Sequence, residues 1–255
     1  MNRDLTYTII GCLFKVHNAL KNIWAEEIYE KALASELRSR GLKTERQREF
    51  DVFYLDKNVG RYRLDLLVED KVIIEVKVAP KILPLHQAQL ISYLKGYDKP
   101  IGILANFGEK SLTHRTFPNK HPETPLENRF DFDRIRIPGK KDIGELLFMA
   151  NRILIILGPG YFHQVYRRAF YYEMKREGIR FRIAKDIFAK YENEIFGSKE
   201  VNFFIIEDML LSVVAVRELN DTILSRFRNH TAYLELKRGL IFNFRSLCLD
   251  FMYFR

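Results

Sequence analysis

The stretch DLLVEDKVIIEVKV, Asp65–Val78, decides the fold. Two apolar runs flank the polar triplet Glu69-Asp70-Lys71, which predicts a β-hairpin closed by a three-residue connection. Val68 then faces Val72, Leu67 faces Ile73, Leu66 faces Ile74, and Asp65 faces Glu75. Directly opposed residues share a face of the sheet, with Cβ atoms roughly 4.5–5.5 Å apart, and like charges there repel. Lys77 lies two residues beyond Glu75 and so returns to the same face. A hairpin selected for stability alone would not oppose two carboxylates. The pair predicts a positive charge between them, and a divalent metal is the natural candidate, because hard cations take clustered carboxylate oxygens.

Outward from the hairpin the chain repeats itself. Helical periodicity over Leu5–Arg40 leads through Gly41, a helix-terminating glycine, to the strand REFDVFYLD, the hairpin, the helix LHQAQLISYLKGY and a buried strand PIGILANFG. From Ile143 the order recurs. WAEEIYEKALASELRSRGLK matches YFHQVYRRAFYYEMKREGIR, so that Tyr29 falls on Tyr166, Glu36 on Glu173 and Gly41 on Gly178. Further on, HQAQL resembles HTAYL from His230, and GILANF resembles GLIFNF. The reading is α/β: two tandem copies at 1–108 and 149–255, each a mixed sheet flanked by helices. The segment 109–148 connects them. It begins as a loop and carries RFDFDRIRI, whose alternation predicts a last strand for copy one, with LCLDFMYFR as its counterpart in copy two.

Composition sets outer bounds. The 255 residues carry 42 lysines and arginines against 33 acidic residues, a net charge of +9 that favours a polyanionic partner. Cys12 and Cys248 stand far apart in apolar runs, so neither a disulfide framework nor a zinc site is expected. No apolar run approaches the ~20 residues of a membrane span, and the N-terminus lacks the apolar core of a signal peptide. A cytoplasmic protein without a membrane partner is the expectation.

Copy one resembles the GxxExxY proteins, a branch of the PD-(D/E)XK nuclease-like superfamily. The resemblance rests on VHNAL, EEIYEKAL, YRLDLLVEDKVIIEVK, HQAQLISYLK and ILANFG, in that order over Leu5–Gly108. Copy two resembles it through LGPGYFHQVYRRAF, HTAYL and LIFNF. The resemblance implies tandem restriction-endonuclease-like αβββαβ units and hydrolysis of nucleic-acid phosphodiester bonds, DNA or RNA, with Mg²⁺ or Mn²⁺. By position it makes Asp65 and Glu75 metal ligands, Lys77 the lysine of the ExK element and Glu26 a further acidic ligand. Gln89 and Tyr93, at i and i+4, match the QxxxY element and are expected to face the same site. One departure is plain: Ile23 stands where the glycine that names the motif should fall, so the loop LKNIW is not expected to share the geometry of Gly-Pro-Gly in copy two.

Each residue also has a structural reading. Lys77 is then a salt-bridge partner of Glu75, Glu26 a solvated helix charge, and Gln89 and Tyr93 amphipathic-helix residues. His17 and His86 read as packing or capping histidines. Copy two has lost the triad. His163 replaces Glu26 and Tyr233 is aligned with Gln89. Pairing Val216 with Val76 puts Ile205, Ala215 and Arg217 at the positions of Asp65, Glu75 and Lys77, and a slide by three residues gives Asn202, Ser212 and Val214 instead. Neither restores two opposed carboxylates. With 17 basic and 12 acidic residues from Met149 on, copy two reads as a binding or packing platform. Arg167, Arg168 and Arg217 are its candidate nucleic-acid contacts. Two other classes compete with a nuclease: a non-catalytic nucleic-acid-binding scaffold, and a subunit whose second copy docks a protein partner or another copy of the chain.

Overall fold

The computed structural model describes residues 2–119, 131–137, 139–192 and 194–255. The chain divides into two compact units. The first comprises residues 1–53, 60–123 and 160–162, and the second residues 54–59, 124–159 and 163–255. The segments 54–59 and 160–162 thus group with the unit other than the one their sequence neighbours build.

The first unit begins with helices α1 (Asn2–Leu20) and α2 (Glu26–Ser39), followed by strands β1 (Thr44–Tyr54), β2 (Lys57–Val68) and β3 (Val72–Lys77). Helix α3 (Pro84–Gly96), β4 (Ile101–Asn106) and β5 (Thr113–Pro118) complete it. The five strands order as β1-β2-β3-β4-β5. β3 runs parallel to β4, and its pairings with β2 and of β4 with β5 are antiparallel. α3 is the crossover that a parallel β3–β4 pair requires. Leu66 and Val68 of β2, Val72, Ile74 and Val76 of β3, and Ile103 and Ala105 of β4 bury one face with Leu13, Tyr29, Leu33 and Leu37. The alternate residues face α3, whose Leu90 lies over Gly102 so closely that a Cβ there would come within 2.8 Å of it.

The second unit repeats this plan with α4 (Gly144–Leu157), α5 (His163–Arg176), β6 (Arg182–Tyr191), β7 (Glu194–Ile206), β8 (Met209–Val214), α6 (Asp221–Tyr233), β9 (Arg238–Asn243) and β10 (Asp250–Phe254). Its sheet orders as β10-β9-β8-β7-β6, again with one parallel pair, β8–β9. Gly239 of β9 is covered by the ring of Phe254 from β10. Among the described residues no helix is long and apolar enough to cross a membrane.

The repeat is exact in spacing over much of its length. α5, β8, α6, β9 and β10 each start 137 residues after α2, β3, α3, β4 and β5, as Glu26 and His163, Val72 and Met209, or Thr113 and Asp250 illustrate. Small structural devices repeat with it. The Tyr29 hydroxyl donates to the Lys21 carbonyl at 2.7 Å, and the Tyr166 hydroxyl donates to the Gly158 carbonyl at 2.7 Å. Each tyrosine stacks on a phenylalanine, Phe107 or Phe244, at 4.6 Å. The Asn106 side-chain oxygen accepts from Ala79 N–H at 3.0 Å, and that of Asn243 accepts from Val216 N–H at 2.9 Å.

The structure corrects three sequence expectations. The fifth strand of the first sheet is β5, inside the segment 109–148, rather than RFDFDRIRI. Of that stretch, Arg129 and Phe130 lie outside the described residues, and Phe132–Arg134 form a 3₁₀ turn. The turn begins where the Asp131 carboxylate accepts from Asp133 N–H at 3.0 Å, a local alternative to a strand ladder. Second, the common spacing sets Arg226 opposite Gln89 and His230 opposite Tyr93, so Tyr233 corresponds to Gly96. Third, β8 ends at Val214, which sets aside the Val216–Val76 pairing and agrees with the slid register in placing Ser212 at the Glu75 position and Val214 at the Lys77 position. Arg217 lies beyond the strand. The partner of Ser212, continuing the register Phe204↔Leu211, is Phe203 rather than Asn202 or Ile205. The β7–β8 turn is one residue shorter than the β2–β3 turn, and an irregularity in β7 near Asn202 (φ 55°) restores the spacing.

Candidate active site

The β2–β3 register runs Val68↔Val72, Leu67↔Ile73, Leu66↔Ile74. The next step outward brings Asp65 beside Glu75 on the α3 face. Asp65 Oδ2 accepts from the main-chain N–H of Val76 at 2.8 Å. Glu75 is fully buried: Lys77 Nζ donates to its Oε1 at 2.7 Å, while Oε2 has no hydrogen-bond partner among the described residues. An orphaned oxygen on a buried carboxylate costs on the order of 1–3 kcal/mol unless something fills it.

The electrostatics follow from this crowding. Burial, then the charge of Asp65, raises the Glu75 carboxyl to about 8. Burial raises Asp65 to about 6, against the lowering effects of the Val76 hydrogen bond and Lys77. Burial works to lower the Lys77 ammonium, but Glu75, Asp65 and Glu26 outweigh it and the pKa is raised. The pair holds protons tightly because it is two acids in one dry corner with one ammonium.

Glu26 opens α2, where a carboxylate also suits the helix dipole. Its Oε1 accepts from Val78 N–H at 3.2 Å and its Oε2 lies 3.7 Å from Lys77 Nζ. Glu26 therefore reaches the triad through Lys77 and the end of β3. Among the described residues no group of three or more His, Cys, Asp or Glu side chains is gathered as a metal-binding group, and Glu26 acts on Asp65 and Glu75 through its charge.

Gln89 and Tyr93 share one face of α3, with the Gln89 amide donating to the Tyr93 hydroxyl at 2.8 Å. Burial raises the Tyr93 phenol, and Glu75 is the next cause, so this face lies within electrostatic reach of the acids. His17 packs against Phe107 and touches the Glu109 carbonyl at 3.2 Å, and His86 Nδ1 accepts from Leu83 N–H at 3.3 Å, a cap. Lys21 adopts φ 59° as Gly158 does (φ 61°), whereas Gly160 at φ 117° has no counterpart in Ile23. The two loops share their first bend and differ at the motif glycine.

Sequence reasoning missed Glu30, one turn along α2 and nearly buried. Its carboxylate accepts from Arg46 at 2.9 Å and from Gln47. Its repeat position is Arg167, and that change of sign was visible in the aligned sequences. The three candidate arginines of the second unit have separate surroundings. Arg167 lines a pocket, Arg168 donates to the Val59 carbonyl at 3.2 Å, and Arg217 is exposed after β8.

A family model for the PD-(D/E)XK nuclease superfamily matches residues 3–117 and 141–252, one span in each unit. Comparison with curated proteins gives no match. A crystal structure of SSO0001 aligns at 22% identity over 38% of this chain and 52% of its own, with a TM-score of 0.32, so the chain spans about half the length of that protein.

Proposed function

We propose, for a chain that belongs to the PD-(D/E)XK nuclease superfamily, that the first unit hydrolyses nucleic-acid phosphodiester bonds with a divalent metal and the second does no chemistry. The observation that carries this reading is the buried Glu75 with its unpartnered Oε2 beside Asp65. Two adjacent acids that hold protons in the absence of metal are a site in which a cation can replace protons. Asp65 and Glu75 would hold the metal. Bound Mg²⁺ or Mn²⁺ supplies the Lewis acid that polarises the phosphodiester. Lys77, fixed by Glu75 and Glu26, keeps its ammonium at the site to neutralise phosphate charge or to orient the attacking water. Gln89 and Tyr93 line the α3 side as hydrogen-bonding partners for substrate. In the second unit Phe203, Ser212 and Val214 stand at the acid and lysine positions, so the opposed carboxylate pair of the first unit has no counterpart there.

A second reading has its own support. Ile23 replaces the motif glycine, so the loop before Glu26 lacks the bend that Gly160 makes, as in a nuclease fold kept for binding alone. Incubating the purified chain with single- and double-stranded DNA and RNA, with Mg²⁺, Mn²⁺ or chelator, separates the two. Metal-dependent cleavage lost on Glu75→Gln supports the nuclease. Retained binding without cleavage under every metal condition supports the scaffold.

A further inference from the structure

The second unit has a concavity of about 360 Å³ at the place where the first gathers its acids. His163, Arg167, Lys199, Ser212 and His230 line it, with one carboxylate, Glu200. By the repeat spacing His163 stands for Glu26, Arg167 for Glu30, Ser212 for Glu75 and His230 for Tyr93. The sign of the site is inverted. Arg167 is half-buried, and burial and the neighbouring Arg168 bear against its charge more than Glu200 relieves it. Burial and then Arg167 lower the His163 pKa, and burial, then Lys199 and Arg226, lower that of His230. Burial is the larger cause in each, and the neighbouring cations add to it in the same direction. Glu200 offsets part of that positive charge but is engaged by the Asn202 amide.

Beside this pocket lies a second, more apolar hollow of about 520 Å³, which shares Lys199 and His230 and adds Phe188, Arg226 and Tyr233. The Tyr233 and Phe188 side chains are each about half exposed, at 50% and 49%. Tyr233 is held rigid: its hydroxyl donates to the Phe188 carbonyl and accepts from Lys190 N–H at 3.3 Å. A fixed aromatic face beside a cationic pocket has the composition that nucleotides select, a flat base on a ring and a phosphate on guanidinium and imidazole.

We infer that the second unit binds a nucleotide, its phosphate on His163, Arg167 and His230 and its base against Phe188 and Tyr233. The inference needs no catalysis in the first unit and stands or falls apart from it. The phosphate has two sources, a free mononucleotide or the 5′ end of a strand, and both present the same group.

The test is binding to the full-length chain in chelator, so that metal chemistry plays no part. The probes are inorganic phosphate, a set of 5′-mononucleotides, and short single-stranded oligonucleotides with and without a 5′-phosphate. Arg167→Ala is expected to weaken every phosphate-bearing probe by about tenfold or more, with partial rescue by Arg167→Lys. Tyr233→Ser is expected to weaken nucleotides but not inorganic phosphate. Mononucleotides binding as tightly as the phosphorylated oligonucleotide assign the free ligand, and preference for the phosphorylated oligonucleotide assigns a strand end. If no phosphate-bearing probe binds, or if both position-167 variants bind like the wild type, the inference is overturned. Thermal melts of each variant exclude misfolding, and Arg167→Lys keeps the test decisive should the alanine variant fail to fold.

Discussion

The carboxylate of Asp65 reaches across to the main-chain N–H of Val76, 2.8 Å away, and this bond fixes it beside Glu75. Asp65 thus takes its hydrogen bond from the backbone of the neighbouring strand, while Glu75 takes one from Lys77 and leaves an oxygen over. The two acids are neighbours in space with different partners, and the predictions that follow exploit that difference.

Glu75→Gln keeps the shape of the side chain and removes its charge. Metal-dependent cleavage should fall by at least about a hundredfold, since several kcal/mol of charge stabilisation are at stake. Metal binding, followed by calorimetry, should weaken in parallel. Wild-type turnover by this variant would remove Glu75 from the site.

The raised carboxyls also fix a stability slope. Both folded pKa values, about 6 for Asp65 and about 8 for Glu75, lie above the ordinary carboxylate range, so the folded chain binds protons that the unfolded chain has released. Their contribution to stability is therefore fully present below about pH 4 and is lost as pH rises to about 8. In chelator, denaturant midpoints should decline over pH 5–8, and Glu75→Gln should flatten that decline. Divalent metal should reverse it and bind more tightly as pH rises. An unchanged slope in the variant would show that Glu75 does not titrate in this window.

The tyrosine anchors should matter equally in the two units. Tyr29→Phe removes the bond to the Lys21 carbonyl and a 3.1 Å bond from Trp24 N–H, and Tyr166→Phe removes the bond to Gly158. Each should cost about 1–2 kcal/mol in chemical denaturation. Cleavage should suffer only with Tyr29→Phe, because the loop it holds leads directly into Glu26.

Arginines in the second unit should supply salt-sensitive affinity for nucleic acid. Replacing Arg167, Arg168 and Arg217 together by alanine should weaken binding and flatten the log–log salt dependence by about 0.7–0.9 for each phosphate no longer neutralised. Because Arg168 already bonds a carbonyl and Arg217 lies beyond the strand, most of the weakening should trace to Arg167 in the single variants. Equal affinity at every salt concentration would place the grip elsewhere.

Much of this was legible in the residues. The alternation around Glu69–Lys71 gave the hairpin register, and Tyr29, Gly41 and their partners gave the tandem plan, because apolar periodicity is what burial imposes. The misplacements have local causes. His-x-Ala-x-Leu occurs in both copies by coincidence, at His86 near the start of α3 and at His230 near the end of α6, and a five-residue match outweighed the spacing of the strands around it. β5, THRTFP, is an edge strand without apolar alternation, while RFDFDRIRI alternates and yet turns at Asp131. The orphaned Glu75 oxygen and the half-burial of Arg167 could not be read at all, since both depend on which atoms fold against them.

The two glycines at one position in the repeat have a consequence for engineering. Gly102 is overlain by Leu90 of helix α3, whereas Gly239 is overlain by Phe254 of the adjoining strand, whose ring also meets Phe227 of α6 at 5.8 Å. Helices of identical offset therefore rest on different supports, one directly on the sheet and one on an aromatic spacer. Chimeras that exchange α3 and α6 should collide or leave a void despite the shared spacing. Exchange becomes feasible only when the edge strand travels with its helix, which makes the helix–β–β module, and not the helix, the interchangeable part.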